Sequence, residues 1–213
     1  GREPIAALTA YDHPMVRLLD ECGVPLLLVG DSLGMVVLGL PDTTGVTMAD
    51  MEHHTRAAAR AKPRALLAAD LPKGSYENAD DAVANARRLI VAGAEAVKAE
   101  GGTTIRPQVE AIVADGIPFF GHIGMLPQNV HAEGGYKVKG KTDDERESII
   151  RDAEALVDAG AFAVVLELVA PAVTAEISRM VPIPTIGIGS GVDCDGQILV
   201  TSDLWATSPD YIP

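Results

Sequence analysis

Short runs of aliphatic residues alternate with longer amphipathic segments along the whole chain. The apolar runs are nearly continuous, which is typical of parallel strands covered on both faces. They predict strands at residues 5–10, 26–30, 65–69, 96–99, 118–122, 163–168, 185–189 and 197–200. The segments between them carry apolar residues at helical spacing. They predict helices at residues 14–22, 47–61, 78–92, 107–114, 143–159 and 171–180.

Several of these predicted helices end at a glycine that leads straight into the next strand, as at Gly23, Gly93, Gly116 and Gly160. Glycine is the residue that most readily ends a helix in this way. No linker rich in Gly, Ser or Pro interrupts the alternation, so we expect a single domain over residues 1–213. A β/α unit repeated this often favours a (β/α)8 TIM-type barrel over an open doubly wound sheet.

The length of the chain bears on how such a barrel would close. Barrels of this type usually need about 250 residues, whereas this chain has 213. The link from Gly189 to Gln197 is too short for a full crossover helix, and the last predicted strand lies close to the end. We therefore expect the closing C-terminal helices to be missing from this chain.

Composition narrows the classes of function. The net charge of −13 disfavours binding to nucleic acid or to an anionic membrane surface. No apolar run approaches the roughly 18 residues of a membrane-spanning helix. Two cysteines, Cys22 and Cys194, cannot form a disulfide framework or a zinc site, which suits a reducing cytoplasm.

Ionisable residues stand where five of the predicted strands end. Because the active site of a β/α barrel lies at the carboxyl ends of its strands, we expect these side chains to converge on one rim. Three carboxylates there would suit a hard cation such as Mg²⁺. The residues, in chain order, are Asp31, Asp70, Lys98 with Glu100, His122 and Glu167.

Each of these residues also has a simpler structural interpretation. Asp31 could cap a following helix, and Asp70 could be a turn residue. Lys98 and Glu100, two positions apart and on one side of a strand, could form an ordinary ion pair. His122 could be a core histidine that hydrogen-bonds to the backbone.

At two positions, a functional role is favoured more strongly over a structural one than at the others. Glu167 ends an apolar strand, and an unpaired buried glutamate is costly, which favours a general base there. A lysine such as Lys98 is likewise costly to bury without an anionic partner. A bound substrate carboxylate would supply that partner.

Longer motifs give a more specific indication. The chain carries "LLVGDSLGMVVLG" at 27–39, "VKAEGG" at 97–102, "GHIGMLPQ" at 121–128, "GGYKVKG" at 134–140 and "DGQILV" at 195–200. Together these segments resemble the ketopantoate hydroxymethyltransferase family, within the phosphoenolpyruvate/pyruvate superfamily of barrels. The resemblance covers almost the whole chain, and its segments occur in the family's order. Lys73, Met125 and Leu168 depart from the family's usual residues.

The resemblance implies a TIM-type barrel enzyme that assembles as a homodecamer and binds Mg²⁺. It implies transfer of a hydroxymethyl group from 5,10-methylenetetrahydrofolate to 3-methyl-2-oxobutanoate through a metal-stabilised enolate. The product would be 2-dehydropantoate, in pantothenate biosynthesis.

The resemblance also assigns roles to individual positions. Glu167 matches the family's proton acceptor. Asp31, Asp70 and Glu100 match its metal-site carboxylates. The positions matching those at the oxo acid are Asp31, Ser32, Asp70, Lys98 and His122.

Two other readings stay open at this point. One is another Mg²⁺-dependent lyase or mutase of the same superfamily, acting on a 2-oxo acid. Such an enzyme would normally carry a catalytic cysteine, and neither Cys22 nor Cys194 follows a strand in a suitable place. The other is a catalytically silent barrel that binds only a metal or an oxo acid.

Overall fold

Eight parallel strands close into a barrel in the computed structural model, which describes residues 3–207. Each strand pairs with the next in sequence, and the last pairs with the first. This confirms the predicted (β/α)8 TIM-type fold. The strands are β1 (Ile5–Thr9), β2 (Leu26–Val29), β3 (Leu66–Asp70), β4 (Ala96–Lys98), β5 (Phe119–Gly124), β6 (Ala163–Glu167), β7 (Thr185–Ile188) and β8 (Gly196–Leu199).

Helices connect successive strands around the barrel. All six predicted helices are present, with ends that differ by at most two residues from the prediction. Three four-residue helices were not predicted. The α-helices are α1 (His13–Glu21), α2 (Leu33–Val36), α3 (Met48–Ala59), α4 (Ala79–Ala92), α5 (Arg106–Ala114), α6 (Val130–Glu133), α7 (Asp143–Asp158), α8 (Pro171–Met180) and α9 (Thr201–Leu204).

The closure of the barrel agrees with the short link noted in the sequence. Between β7 and β8 the described chain turns without a helix. After β8, the described part of the chain holds only the short helix α9. The expectation that closing helices are missing also concerns residues 208–213. These residues lie outside the described part of the chain. Within residues 3–207, no helix is long and apolar enough to span a membrane.

The core has two layers, which explains why the strands are apolar at successive positions. In β2, Leu26 and Leu28 belong to the group packed inside the barrel, while Leu27 and Val29 belong to the layer beneath the helices. Such alternation follows from the strand period of two. The interior holds mostly small or branched side chains together with Phe120.

Strand register decides which residues meet at the carboxyl ends. Asp70 of β3 lies directly opposite Lys98 of β4. Gly124 of β5 lies opposite Glu167 of β6. Parallel pairing around a closed barrel therefore brings the ends of non-consecutive strands to one rim, although they are far apart in sequence.

Candidate active site

The predicted rim residues come together at the carboxyl end of the barrel. Five of them are at least 95% buried, and the Glu167 side chain is 15% exposed. Their polar atoms approach one another across five neighbouring strand ends. We call this group the rim cluster: Asp31, Asp70, Lys98, Glu100, His122 and Glu167.

Asp70 connects its two neighbours in the rim cluster. Its Oδ1 lies 2.8 Å from Nζ of Lys98, and its Oδ2 accepts a hydrogen bond from the backbone N–H of Asp31 at 3.0 Å. Gly30 permits this approach, because a Cβ atom there would lie 2.9 Å from Oγ of Ser32 and 3.5 Å from Oδ2 of Asp70.

The simpler interpretation of Lys98 and Glu100, an ion pair on one strand face, is wrong. Strand β4 ends at Lys98, so Glu100 lies beyond the strand and the alternation of strand faces does not apply to it. The ion-pair partner of Lys98 is Asp70, which lies opposite it in the neighbouring strand. Cross-strand register, rather than spacing along one strand, determines this pair.

His122 faces the acids of the rim cluster and is not a core histidine satisfied by the backbone. Its Nε2 lies 3.2 Å from Oε2 of Glu167, and its Nδ1 lies 3.3 Å from Nζ of Lys98. Because a lysine ammonium can only donate, Nδ1 acts as the acceptor and the ring proton lies on Nε2, which makes no hydrogen bond of good geometry although Oε2 of Glu167 is close. Glu167 is therefore not isolated at the end of its apolar strand, since His122 lies beside it.

Asp31 does not cap a helix, because the N-cap of α2 is Ser32. The hydroxyl of Ser32 forms no cap bond and instead lies 2.9 Å from the hydroxyl of Tyr11. Burial raises the pKa of Tyr11 to about 12, so this phenol stays protonated beside Ser32.

Gln128 is a buried polar residue at this rim that the sequence analysis did not single out. Its side-chain Nε2 donates to Oδ2 of Asp31 at 2.9 Å, and its backbone N–H donates to Oε2 of Glu100 at 2.9 Å. The available signal was its position directly after the "GHIGMLP" strand end. An uncharged amide in a turn is nevertheless a weak indication of a site.

The acids of the rim cluster are held in an unfavourable electrostatic environment. Burial, followed by the charge of Asp70, raises the pKa of Asp31 to about 7. Burial, followed by the charge of Asp31, raises the pKa of Glu100 well above its usual range. Burial alone would lower the pKa of Lys98, but the carboxylates around it outweigh burial and raise it. If all four carboxylates of the cluster were ionised, the site would hold more negative charge than Lys98 neutralises.

This excess charge bears on whether a cation fits. The described residues contain no group of three or more His, Cys, Asp or Glu side chains at metal-ligating spacing. Asp31, Asp70 and Glu100 are thus not a ready-made three-ligand centre. Mg²⁺, however, is usually held by one or two carboxylates together with water and substrate.

The environment of Asp70 supports such a fit. Its Oδ1 is buried and makes no hydrogen bond of good geometry, although Lys98 is close. Asp31 and Asp70 lie side by side, and both offer the oxygen ligands that a hard cation prefers. The donor set therefore suits Mg²⁺ bound through two carboxylates better than a closed, all-protein site. A cleft of about 350 Å³ opens beside Glu100 and Gln128.

Comparison with solved structures supports the barrel fold. Phosphoenolpyruvate phosphomutase from Streptomyces platensis subsp. rosaceus superposes with a TM-score of 0.74 at 17% identity, covering 97% of this chain and 79% of that one. Oxaloacetate acetylhydrolase in complex with 3,3-difluorooxalacetate gives a TM-score of 0.72 at 17% identity, covering 96% and 77%. At this identity the likeness establishes the fold alone, a TIM-type (β/α)8 barrel.

Sequence comparison identifies the family within that class. The family described as ketopantoate hydroxymethyltransferase matches residues 1–213. Relatives named 3-methyl-2-oxobutanoate hydroxymethyltransferase include that of Pyrobaculum islandicum, 56% identical over 96% of this chain and 78% of the relative. Another, from Acetivibrio thermocellus, is 54% identical over 100% of this chain and 76% of the relative. The chain belongs to the ketopantoate hydroxymethyltransferase family, as its motifs indicated.

Proposed function

We propose that this chain transfers a hydroxymethyl group from 5,10-methylenetetrahydrofolate to 3-methyl-2-oxobutanoate, giving 2-dehydropantoate. The observation that carries the proposal is the rim cluster, which sits at the catalytic end of a barrel of this family. The names of the curated relatives support the acceptor. In the overall reaction the folate supplies the carbon, water supplies the hydroxyl oxygen, and C3 of the oxo acid gives up one hydrogen.

Lys98 and its neighbours are suited to hold the oxo acid. Its ammonium is buried with Asp70 at the rim, so a substrate carboxylate would meet a desolvated positive charge. The hydroxyl of Ser32 and the ring of His122 border the same space. Together with Asp31 and Asp70, these residues form the proposed substrate site.

Asp31 and Asp70 would hold Mg²⁺, with Glu100 as the third carboxylate of the site. When bound, the cation offsets the excess negative charge and draws electron density from a ketone oxygen, a contribution of about several kcal/mol. The protein's own part is to keep these oxygens desolvated and in place. Gln128 and the backbone N–H of Asp31 do this by donating hydrogen bonds to them.

Glu167 is the proposed general base. It is the most accessible acid of the rim cluster, and its Oε2 lies 3.2 Å from Nε2 of His122. Removal of the C3 proton by Glu167 would leave the enolate that attacks the one-carbon unit. A positioned general base typically contributes about 10²–10⁴-fold to the rate.

The test is exchange of the C3 proton of 3-methyl-2-oxobutanoate in D₂O, followed by NMR with and without Mg²⁺ and without folate. We expect Mg²⁺-dependent loss of the C3 proton signal, and formation of 2-dehydropantoate once 5,10-methylenetetrahydrofolate is added. Absence of exchange in folded protein would contradict the assigned substrate and base. Exchange without product after addition of folate would instead favour a lyase-like reaction on the same oxo acid.

We also expect the chain to assemble as a homodecamer, on the family resemblance alone. Size-exclusion chromatography with light scattering checks this expectation. A monomeric mass at micromolar concentration would contradict it.

A further inference from the structure

Gln128 bonds to two acids of the rim cluster that come from different parts of the barrel. It lies in a single 3₁₀ turn, Pro127–Asn129, just after β5, and is 97% buried. Its side chain reaches Asp31 beyond β2, and its backbone N–H reaches Glu100 beyond β4. A single residue therefore connects the loops that follow three strands.

The hydrogen bonds of Gln128 fix the orientation of its amide. Nε2 donates to the backbone oxygen of Leu71 as well as to Asp31, both at 2.9 Å. A carbonyl oxygen can only accept, so the nitrogen must face these two groups. On the other side, the hydroxyl of Tyr76 donates to Oε1 at 2.5 Å.

The backbone of Gln128 is also anchored on both sides. Its carbonyl oxygen accepts a hydrogen bond from Nζ of Lys73 at 2.6 Å, and its N–H is bonded to Glu100. Lys73, which departs from the family's usual aromatic residue, therefore supports the turn that reaches the acids. With every polar atom bonded, Gln128 is a rigid, fully satisfied buried amide, and such groups hold one geometry strongly.

We propose that Gln128 is a positioning residue for the carboxylates that receive the cation. Its bonds occupy one oxygen each of Asp31 and Glu100, Oδ2 and Oε2 respectively. This leaves Asp31 Oδ1 and Glu100 Oε1 as the oxygens available to a ligand; Glu100 Oε1 lies 3.9 Å from Nδ1 of His122. The inference rests on the cation site of the proposed function, and it adds a residue that sets the orientation of the ligands.

The experiment measures metal binding without catalysis. Mn²⁺ serves as the probe, and the electron paramagnetic resonance signal of free Mn²⁺ gives the Kd in the absence of substrate. Gln128→Met keeps a similar volume but removes both donated bonds of the side chain. We expect its Kd to be about 10–100-fold weaker than wild type, as is typical when a group that orients a metal ligand is lost.

A second variant and a matched control separate positioning from general damage. Gln128→Asn keeps the amide and the backbone bonds but is one carbon too short to reach Asp31, so we expect weaker Mn²⁺ binding here as well. Gln108→Met removes a glutamine whose Nε2 donates to the backbone oxygens of Tyr76 and Glu77 and touches no acid of the rim cluster. We expect that control to bind Mn²⁺ like wild type. Circular dichroism establishes that each protein is folded.

The outcomes are distinguishable. Wild-type affinity in a folded Gln128 variant would overturn the inference while leaving the cation site standing. An equal loss in the Gln108 control would also overturn it, because the effect would then be a general loosening of these loops. Absence of Mn²⁺ binding by the wild-type protein would overturn the cation site of the proposed function, and this inference with it.

Discussion

Carboxylates at the two ends of the barrel lie in different electrostatic environments. At the amino end, acids accept hydrogen bonds from the backbone at the starts of strands. Asp20 Oδ1 accepts from the N–H groups of Arg64 and Ala65, just before β3. Asp195 Oδ2 accepts from the N–H of Thr185, the first residue of β7. At the carboxyl end, by contrast, the acids of the rim cluster face one another.

The pKa values of acids at the two ends shift in opposite directions. Backbone hydrogen bonds, that from Ala65 foremost, lower the pKa of Asp20, so its ionised form stabilises the fold. Burial and the charge of Asp70 raise the pKa of Asp31, so its ionised form destabilises the fold. Asp20 is held by backbone donors without a second acid beside it, whereas Asp31 is buried beside the charge of Asp70.

Replacing the proposed base should give the largest effect on function. Glu167→Gln keeps the volume and removes the proton acceptor, so C3 proton exchange should slow by about 10²–10⁴-fold. Exchange in D₂O with Mg²⁺ present measures the change. The matched variant is Glu95→Gln at the amino end, where Oε2 accepts from the N–H of Leu67. Exchange at the wild-type rate in folded Glu167→Gln would exclude Glu167 as the base.

Replacing Asp31 with a neutral residue should raise the stability of the metal-free protein and abolish its activity. In Asp31→Asn the repulsion from Asp70 disappears, so the metal-free protein should gain on the order of 1–4 kcal/mol in free energy of unfolding at pH 8. The same change should abolish Mg²⁺-dependent exchange. Urea unfolding with a chelator present measures the first effect. A lower unfolding midpoint than wild type would show that Asp31 stabilises the fold after all.

The barrel fold and the six residues of the rim cluster could be predicted from the sequence. The apolar runs around Leu26 and Val164 are continuous because residues on both strand faces are buried, and the ionisable residues that follow such runs must fall on the rim. Helices of four residues, such as α2 and α6, are shorter than the window in which a helical period can be detected.

The contacts between residues of the site could not be predicted from the sequence. Lys98 pairs with Asp70 and not with Glu100 because strand register, a property of the closed sheet, sets the contact. Gln128 was missed because its contacts reach across 97 residues to Asp31 from an irregular turn. Pairings of this kind depend on tertiary geometry, and local spacing does not encode them.

Removing an acid at the amino end should have the opposite effect to Asp31→Asn. Asp195→Ala leaves the N–H of Thr185, a fully buried residue, without its acceptor. We expect a loss of about 1–3 kcal/mol in free energy of unfolding, with C3 exchange unchanged. Urea unfolding and the exchange assay on one preparation measure both. A gain in stability would remove the distinction between the two ends.

The smallest expected effect is a pH dependence at Asp20. Because its folded pKa is lowered, its contribution to stability is fully present above the unfolded value of about 3.9 and is lost as the pH falls through the folded pKa. Asp20→Asn should therefore unfold at slightly lower urea than wild type at pH 7, and the two midpoints should converge below about pH 4. The effect should be small because Asn retains an oxygen that can accept from the N–H groups of Arg64 and Ala65.

Glu154→Gln on α7 serves as the control for that comparison, because it changes the net charge by the same amount at an exposed position. A difference between Asp20→Asn and wild type that persists unchanged into acid would mean that shape, rather than charge, carries the contribution of Asp20. Convergence of the two curves, with no such trend for Glu154→Gln, would instead show that ionised Asp20 stabilises the start of β3. Loss of negative charge would then weaken the fold at the amino end and strengthen it at the rim cluster.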